Sequence, residues 1–186
     1  MSARGSVLRQ WLRAPGSLSR RLAALGTRFE VQTLCQGPAR LLRVEAADLG
    51  SRGRGRCWAR EVLLRVDGQA LVWARSVVPS VALRGPWRAL LGLGSRPLAD
   101  LLFKEPRVSR SPLRRERLVP GGMLHRQLLR QWQRAEAHRP PPGMVWARSS
   151  VFRKHGMPLR VMEAFSPRLA ARRPPRIAQH LHPSRR

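Results

Sequence analysis

The feature that most constrains this chain is a pair of alternating stretches that turn back on each other at Asp67-Gly68. Val62, Leu64 and Val66 alternate with Glu61, Leu63 and Arg65 ahead of the dipeptide, and Leu71, Trp73 and Val77 carry the pattern on towards Pro79. A period of two is the signature of a strand. Asp-Gly is a pair that tolerates the positive-φ positions of a tight hairpin turn. Residues 60–78 are therefore predicted to form a β-hairpin. A lone hairpin is not stable in water, so further strands or helices must cover it.

The rest of the chain supplies them. A second hairpin is expected over residues 145–165, turning at His155-Gly156, and a strand over Phe29–Leu34. Pro15-Gly16-Ser17 reads as a turn and N-cap for a helix over residues 18–25. Gly85-Pro86 and Ser95-Arg96-Pro97 open two short helices ending near Leu93 and Phe103, a candidate flap. Leu124, Leu128, Trp132 and Ala135 recur at helical spacing, which predicts an amphipathic helix over 122–137, ended by Pro140-Pro141-Pro142-Gly143. Residues 46–57 and 104–121 read as irregular. Hairpins without βαβ alternation point to the α+β class, an antiparallel sheet with helices packed on it.

Composition narrows the class. The chain has 186 residues, 42% of them hydrophobic, enough for one domain with a core. No apolar run has the length of a membrane span. The first 22 residues carry Arg and Ser and no acid, a composition like that of a transit peptide. Residues 1–14 are expected to be a flexible lead and residues 168–186 a basic, mobile tail. Cys35 and Cys57 cannot make a disulfide framework and read as reduced packing thiols. The His residues are scattered, and His180 and His182 lie in the tail, so no metal site is expected.

A formal net charge of +27 implies anionic partners, and nucleic acid is the default for such a charge. Yet the basic residues are spread along the whole chain, nearly all as Arg, without a nucleic-acid-binding signature.

Two charged pairs fall on apolar faces. In a two-residue hairpin turning at Asp67-Gly68, Leu64 faces Leu71, Val62 faces Trp73 and Arg60 faces Arg75. Two like charges opposed on such a face are unfavourable unless an anion sits between them, or both heads reach water or internal carboxylates. In the second hairpin Phe152 faces Leu159, Ser150 faces Val161 and Arg148 faces Glu163. Glu163 is then either a structural partner of Arg148 or a working group.

The runs that carry these pairs also carry a resemblance. Trp58-Ala59-Arg60-Glu61-Val62-Leu63-Leu64 with Asp67-Gly68, Ala74-Arg75-Ser76-Val77-Val78-Pro79 and Leu83-x-Gly85-Pro86 resemble the first strands and flap entry of chorismate pyruvate-lyases. Gly16-Ser17-Leu18-Ser19, Arg96-Pro97-Leu98-Ala99-Asp100-Leu101-Leu102-Phe103, Trp146-Ala147-Arg148-Ser149 and Met157-Pro158-Leu159-x-Val161-x-Glu163-x-Phe165 are similar to further segments of that family, in the same order. The resemblance covers residues 16–167, within a domain placed at 15–167. Leu18 stands where Met is common, and residues 114–143 form a longer insertion.

The resemblance implies a sheet of about six antiparallel strands with helical flaps over an internal pocket. It implies a cytoplasmic monomer that needs no cofactor and binds chorismate, with no specific nucleic-acid partner. The activity implied is conversion of chorismate to 4-hydroxybenzoate and pyruvate, in ubiquinone biosynthesis. It assigns catalysis to Glu163 and Arg60. Substrate contacts fall to Arg60, Glu163 and the backbone at Leu98 and Leu18, with Arg75 as a second basic group near the site. The alternatives are a basic nucleic-acid-binding protein and a non-catalytic binder of aromatic acids on the same fold.

Overall fold

The structure is a computed structural model that describes residues 3–51, 55–103, 105, 107–136 and 144–177. The expected Pro140–Gly143 stop and the tail histidines His180 and His182 lie outside these residues.

Seven strands form one antiparallel sheet: β1 (Phe29–Ala39), β2 (Cys57–Val66), β3 (Gln69–Pro79), β4 (Val108–Arg110), β5 (Arg114–Leu118), β6 (Val145–Lys154) and β7 (Met157–Phe165). The order is β1-β2-β3-β7-β6-β4, with β5 also pairing β6. Strands β4 and β5 follow one another along the same edge of β6, opposite Lys154–Phe152 and Ser149–Val145 respectively. They are one strand position interrupted at Ser111-Pro112, where proline has no N–H to donate. The sheet is thus six positions wide. The stretch 104–121, read from sequence as irregular, supplies its edge strand, because short charged edge strands carry no alternating apolar face.

Both predicted hairpins form. Asp67 and Gly68 have φ of 48° and 76°, and His155 and Gly156 have φ of 48° and 76°, both residues of each turn being left-handed. Asp67 also ties the turn to β1: its carboxylate accepts from the Thr27 and Arg28 N–H groups at 3.0 and 2.8 Å.

The β6–β7 register is as expected, with Phe152 opposite Leu159, Ser150 opposite Val161 and Arg148 opposite Glu163. The β2–β3 register is not. A bulge leaves Leu71 as an extra residue, so Arg65 faces Ala70 while Leu64 faces Val72. One extra residue exchanges the two faces of everything beyond it. Arg60 consequently faces Ser76, and Arg75 faces Glu61 on the opposite side of the sheet. Leu71 itself is buried against Val62, Leu64 and Val72, and its carbonyl accepts from Ser166 N–H at 2.9 Å.

Helices cover both faces. On one side lie α1 (Ala3–Arg13), α2 (Leu18–Ala23) and the flap, which consists of 3-10 turns at Ser80–Arg84 and Arg88–Leu90 followed by α4 (Ala99–Leu102). The flap helices are shorter than predicted, because Gly85, Pro86, Gly92, Gly94 and Pro97 interrupt helical hydrogen bonding. On the other side lie α3 (Arg43–Asp48), within a segment partly read as loop, and α5 (Met123–Ala135), whose Leu124, Leu128 and Trp132 pack on Leu63, Trp73 and Met162.

The expected lead-in at residues 1–14 is instead largely α1. Trp11 and Leu12 enter the core, and the Trp11 indole donates to the Arg172 carbonyl at 2.6 Å. The expected mobile tail starts as packed chain too, with Leu169 buried and the Pro175 carbonyl accepting from Arg21 at 2.6 Å. Residues 114–136, expected within an insertion, are a sheet strand and a core helix. Cys57 is buried as a packing thiol, whereas Cys35 is exposed.

The far face holds two ionic clusters. Arg75 bonds Glu45 of α3 at 2.6 Å and Glu61 of β2 at 2.6 Å, all three at most 2% exposed. Gln127 of α5 donates to the same Glu61 oxygen. Burial pushes the Glu61 carboxyl up, against the pull of Arg75 and Gln127. Arg160 bonds Asp48 and Glu116, each at 2.7 Å. Burial pushes the Asp48 carboxyl up, but its bonds to Arg160 and Arg114 outweigh that and hold it below its ordinary value.

Arg75→Leu would leave two buried carboxylates without their cation. It is expected to cost about 3–5 kcal/mol in urea unfolding, while leaving the affinity of refolded protein for a ligand in the opposite face unchanged. For Asp48, a depressed folded-state pKa means stability present above pH ~4 and lost as pH falls through the lowered value. Acid titration followed by circular dichroism should therefore show a smaller loss below pH ~4 in Asp48→Asn than in the parent.

Candidate functional site

The face that Arg60 shares with Val62, Leu64, Ala74 and Ser76 does not pack solidly against the helices above it. Between this face, the start of α2 and the α4 end of the flap lies a cavity. Its walls are mostly apolar, among them Val31, Leu102, Phe103 and Phe152, with Arg60, Arg110 and Glu163 as the charged groups. A mostly apolar pocket with a few convergent polar groups is the usual form of a small-molecule site.

The sequence-derived candidates separate cleanly. Arg60, Glu163, Leu98 and Leu18 all line this one cavity. Arg75 does not; it belongs to the Glu45–Glu61 cluster on the reverse of the sheet. The expectation that Arg60 and Arg75 oppose each other around an anion is corrected by the Leu71 bulge. Arg75 is satisfied by internal carboxylates, the other outcome open to a buried guanidinium.

Arg60 is 2% exposed and makes no ion pair among the described residues. Its Nη2 donates to the Gly94 carbonyl at 2.7 Å and the Arg96 carbonyl at 3.2 Å, which couples β2 to the flap. Its Nε has no acceptor. Burial pulls its pKa down from the ordinary value, yet guanidinium stays protonated in proteins. A buried cation with a spare donor and no carboxylate is an incomplete ion pair, and an anionic ligand completes it.

Glu163 comes from β7, opposite Arg148 on β6 and Ala74 on β3. Its Oε2 accepts from Arg148 Nε at 2.6 Å. Arg148 is 1% exposed and is itself held by two carbonyls, Trp11 O at 3.0 Å and Ala14 O at 2.7 Å. The end of α1 thereby fixes the guanidinium that fixes Glu163. Glu163 retains 16% exposure towards the cavity.

Leu98 precedes α4 and Leu18 opens α2, each in the first turn, where N–H groups lack intrahelical acceptors. Ser17 caps α2 as predicted, its Oγ accepting from Arg20 N–H at 3.2 Å.

Arg110 is the site residue that sequence reasoning missed. It lies on β4 opposite Phe152. Its Nε donates to Ser150 Oγ at 3.0 Å, its Nη1 to the Gly16 carbonyl at 3.2 Å, and its guanidinium sits 5.1 Å from the Phe152 ring centroid. Burial lowers its pKa; the nearby Glu163 charge opposes that and Arg148 adds to it. A strand of three residues shows no periodicity, so nothing in the local pattern distinguishes Arg110 from its many exposed neighbours.

Among the described residues no cluster of His, Cys, Asp or Glu could hold a metal ion, and no helix is long and apolar enough to cross a membrane.

Solved structures share the fold. PhnF from Mycobacterium smegmatis superposes with a TM-score of 0.58 at 13% identity, covering 90% of this chain and 70% of that one. A PhnF C-terminal domain gives 0.56 at 17%, covering 81% and 87%. At such identities the likeness speaks for architecture alone. Sequence relatives are much nearer. A probable chorismate pyruvate-lyase of Albidiferax ferrireducens is 45% identical over 158 residues, 85% of this chain and 80% of the relative. One from Aromatoleum aromaticum is 42% identical over 163 residues, 86% and 84% of the two chains. The family model described as chorismate lyase matches residues 1–173, taking in α1 and the packed start of the tail. This chain belongs to the chorismate lyase family.

Proposed function

We propose that this protein is a chorismate pyruvate-lyase, splitting chorismate into 4-hydroxybenzoate and pyruvate. The observation that carries the reading is the placement of an unpaired buried Arg60 and an anchored Glu163 in one apolar cavity, within a chain of this family.

The chemistry asks little beyond placement. Chorismate bears a ring carboxylate, a ring hydroxyl and, on the neighbouring carbon, an enolpyruvyl ether. The ether C–O bond breaks, and the hydrogen on the hydroxyl-bearing carbon transfers to the methylene carbon of the departing enolpyruvyl group. That group leaves as pyruvate and the ring becomes aromatic. Electrons balance within the substrate, so no external oxidant or reductant enters. Aromatisation supplies the driving force, and the protein's contribution is orientation and charge stabilisation.

Arg60, with the Leu98 N–H, holds the ring carboxylate. Glu163 bonds the ring hydroxyl, aided by the backbone at Leu18, and stabilises charge that develops there. Arg148 keeps the Glu163 carboxylate in place. Because Arg60 also bonds the Gly94 and Arg96 carbonyls, filling the site and seating the flap are coupled, and flap opening for product release limits turnover. The protein works as a cytoplasmic monomer that commits chorismate to ubiquinone biosynthesis, and its positive charge is not a nucleic-acid footprint. Three of its arginines, Arg75, Arg148 and Arg160, are spent on buried ion pairs.

Purified protein incubated with chorismate should form 4-hydroxybenzoate and pyruvate in equal amounts, resolved by chromatography. Formation at no more than the spontaneous rate would rule the reading out. Glu163→Gln should lower kcat by roughly 10²-fold or more with 4-hydroxybenzoate binding retained. Arg60→Ala should lower kcat/KM by about 10²-fold and weaken 4-hydroxybenzoate as well, measured by calorimetry.

A further inference from the structure

Chorismate has two carboxylates, and Arg60 accounts for one. Arg75, the residue that sequence alone offers for the second, is on the wrong face of the sheet and saturated by Glu45 and Glu61. Arg148 does not line the cavity, and its charge is paired with Glu163. That leaves Arg110. We propose that Arg110 binds the enolpyruvyl carboxylate, making it the residue by which the site distinguishes the dianionic substrate from the monoanionic ring product. This assignment rests on the lyase reading above.

Three observations carry it. First, Arg110 lines the same cavity as Arg60 and Glu163 and makes no ion pair among the described residues. Its bonds to Ser150 Oγ and the Gly16 carbonyl are to neutral acceptors, so no carboxylate is bonded to it.

Second, its position is held before any ligand arrives. The guanidinium lies against two aromatic rings, 5.1 Å from the Phe152 centroid and 5.9 Å from that of Phe103, and those rings meet edge to face. Cation–π contact fixes the plane of the fork while leaving a carboxylate partner to be supplied.

Third, the order across the sheet matches the order of groups on the substrate. Arg60 is on β2, Glu163 on β7 and Arg110 on β4, in a sheet running β2-β3-β7-β6-β4. Glu163 therefore stands between the two unpaired arginines. On chorismate the hydroxyl-bearing carbon lies across the ring from the ring carboxylate and next to the carbon bearing the enolpyruvyl ether. With the ring carboxylate on Arg60 and the hydroxyl on Glu163, one orientation of the ring about that axis turns the ether side chain towards β4. The charges agree as well. Arg60, Arg110 and Arg148 against Glu163 leave two positive charges in excess, which a dianion neutralises.

4-Hydroxybenzoate lacks the second carboxylate, so its binding should be indifferent to Arg110, whereas a merely structural role would affect both ligands. The test is Arg110→Gln in the full chain, comparing steady-state kinetics on chorismate with calorimetric binding of 4-hydroxybenzoate. The expected result is a fall in kcat/KM for chorismate of roughly 10- to 100-fold, with the 4-hydroxybenzoate Kd within about twofold of the parent. Arg110→Lys, which keeps the charge and loses the fork, should restore part of the loss, and it carries the same comparison if the Gln variant does not fold. Equal weakening of both ligands, or unchanged kcat/KM, would overturn the assignment while parental turnover left the lyase reading intact. A parent protein that does not convert chorismate would remove the lyase reading and this assignment together.

Discussion

Leu71 has no partner across the hairpin, and its extra place in β3 decides what lies on each side of the sheet. Beyond it, Arg60, Val62, Ala74 and Ser76 share one face while Glu61, Leu63, Trp73 and Arg75 share the other. With an unbulged hairpin, Arg60 and Arg75 would meet side by side, and Glu61 would have no cation opposite it. The bulge instead gives Arg75 to two carboxylates and leaves Arg60 with none. A register shift of one residue thus separates an arginine paired with two carboxylates from one that lines the cavity. The bulge is stabilised on both counts, by burial of the Leu71 side chain and by the Ser166 bond to its carbonyl.

The two faces then treat charge oppositely. On the far face, Arg75 and Arg160 each hold two carboxylates, and these clusters join β2, β3, β5 and β7 to α3. Removing one member of such a cluster is costly because its partners stay buried. On the near face the arginines outnumber the acids, and Glu163 is the acid that lines the cavity. Charge left uncompensated inside a protein is expensive unless a ligand restores the balance. The aromatic shelf under Arg110, the carbonyl contacts of Arg60 and the α1 clamp on Arg148 each fix one guanidinium in place.

Much of this was legible in the sequence, for reasons that also explain what was not. The hairpins announced themselves because Asp67-Gly68 and His155-Gly156 are turn pairs flanked by alternation, and the pairing of Arg148 with Glu163 followed from counting outward from an unbulged turn. The same count failed for Arg75, because a bulge leaves no mark when its extra residue, Leu71, is as apolar as its neighbours. Helix α5 was visible through Leu124, Leu128 and Trp132, each four residues on from the last. Helix α1 was not, because its Arg-rich composition hides Trp11, whose burial is set by distant partners in β6 and the chain end. Arg110 was invisible for a similar reason: its placement depends on Phe103, Phe152 and Gly16, and no local period links it to them.

The most direct test of the account is a crystal structure with 4-hydroxybenzoate bound. The ring is expected in the cavity beneath α4, its carboxylate on Arg60 and the Leu98 N–H, its hydroxyl on Glu163, and Arg75 still bonded to Glu45 and Glu61 on the far side of the sheet. A ring seated elsewhere, or a carboxylate held by Arg75, would contradict it.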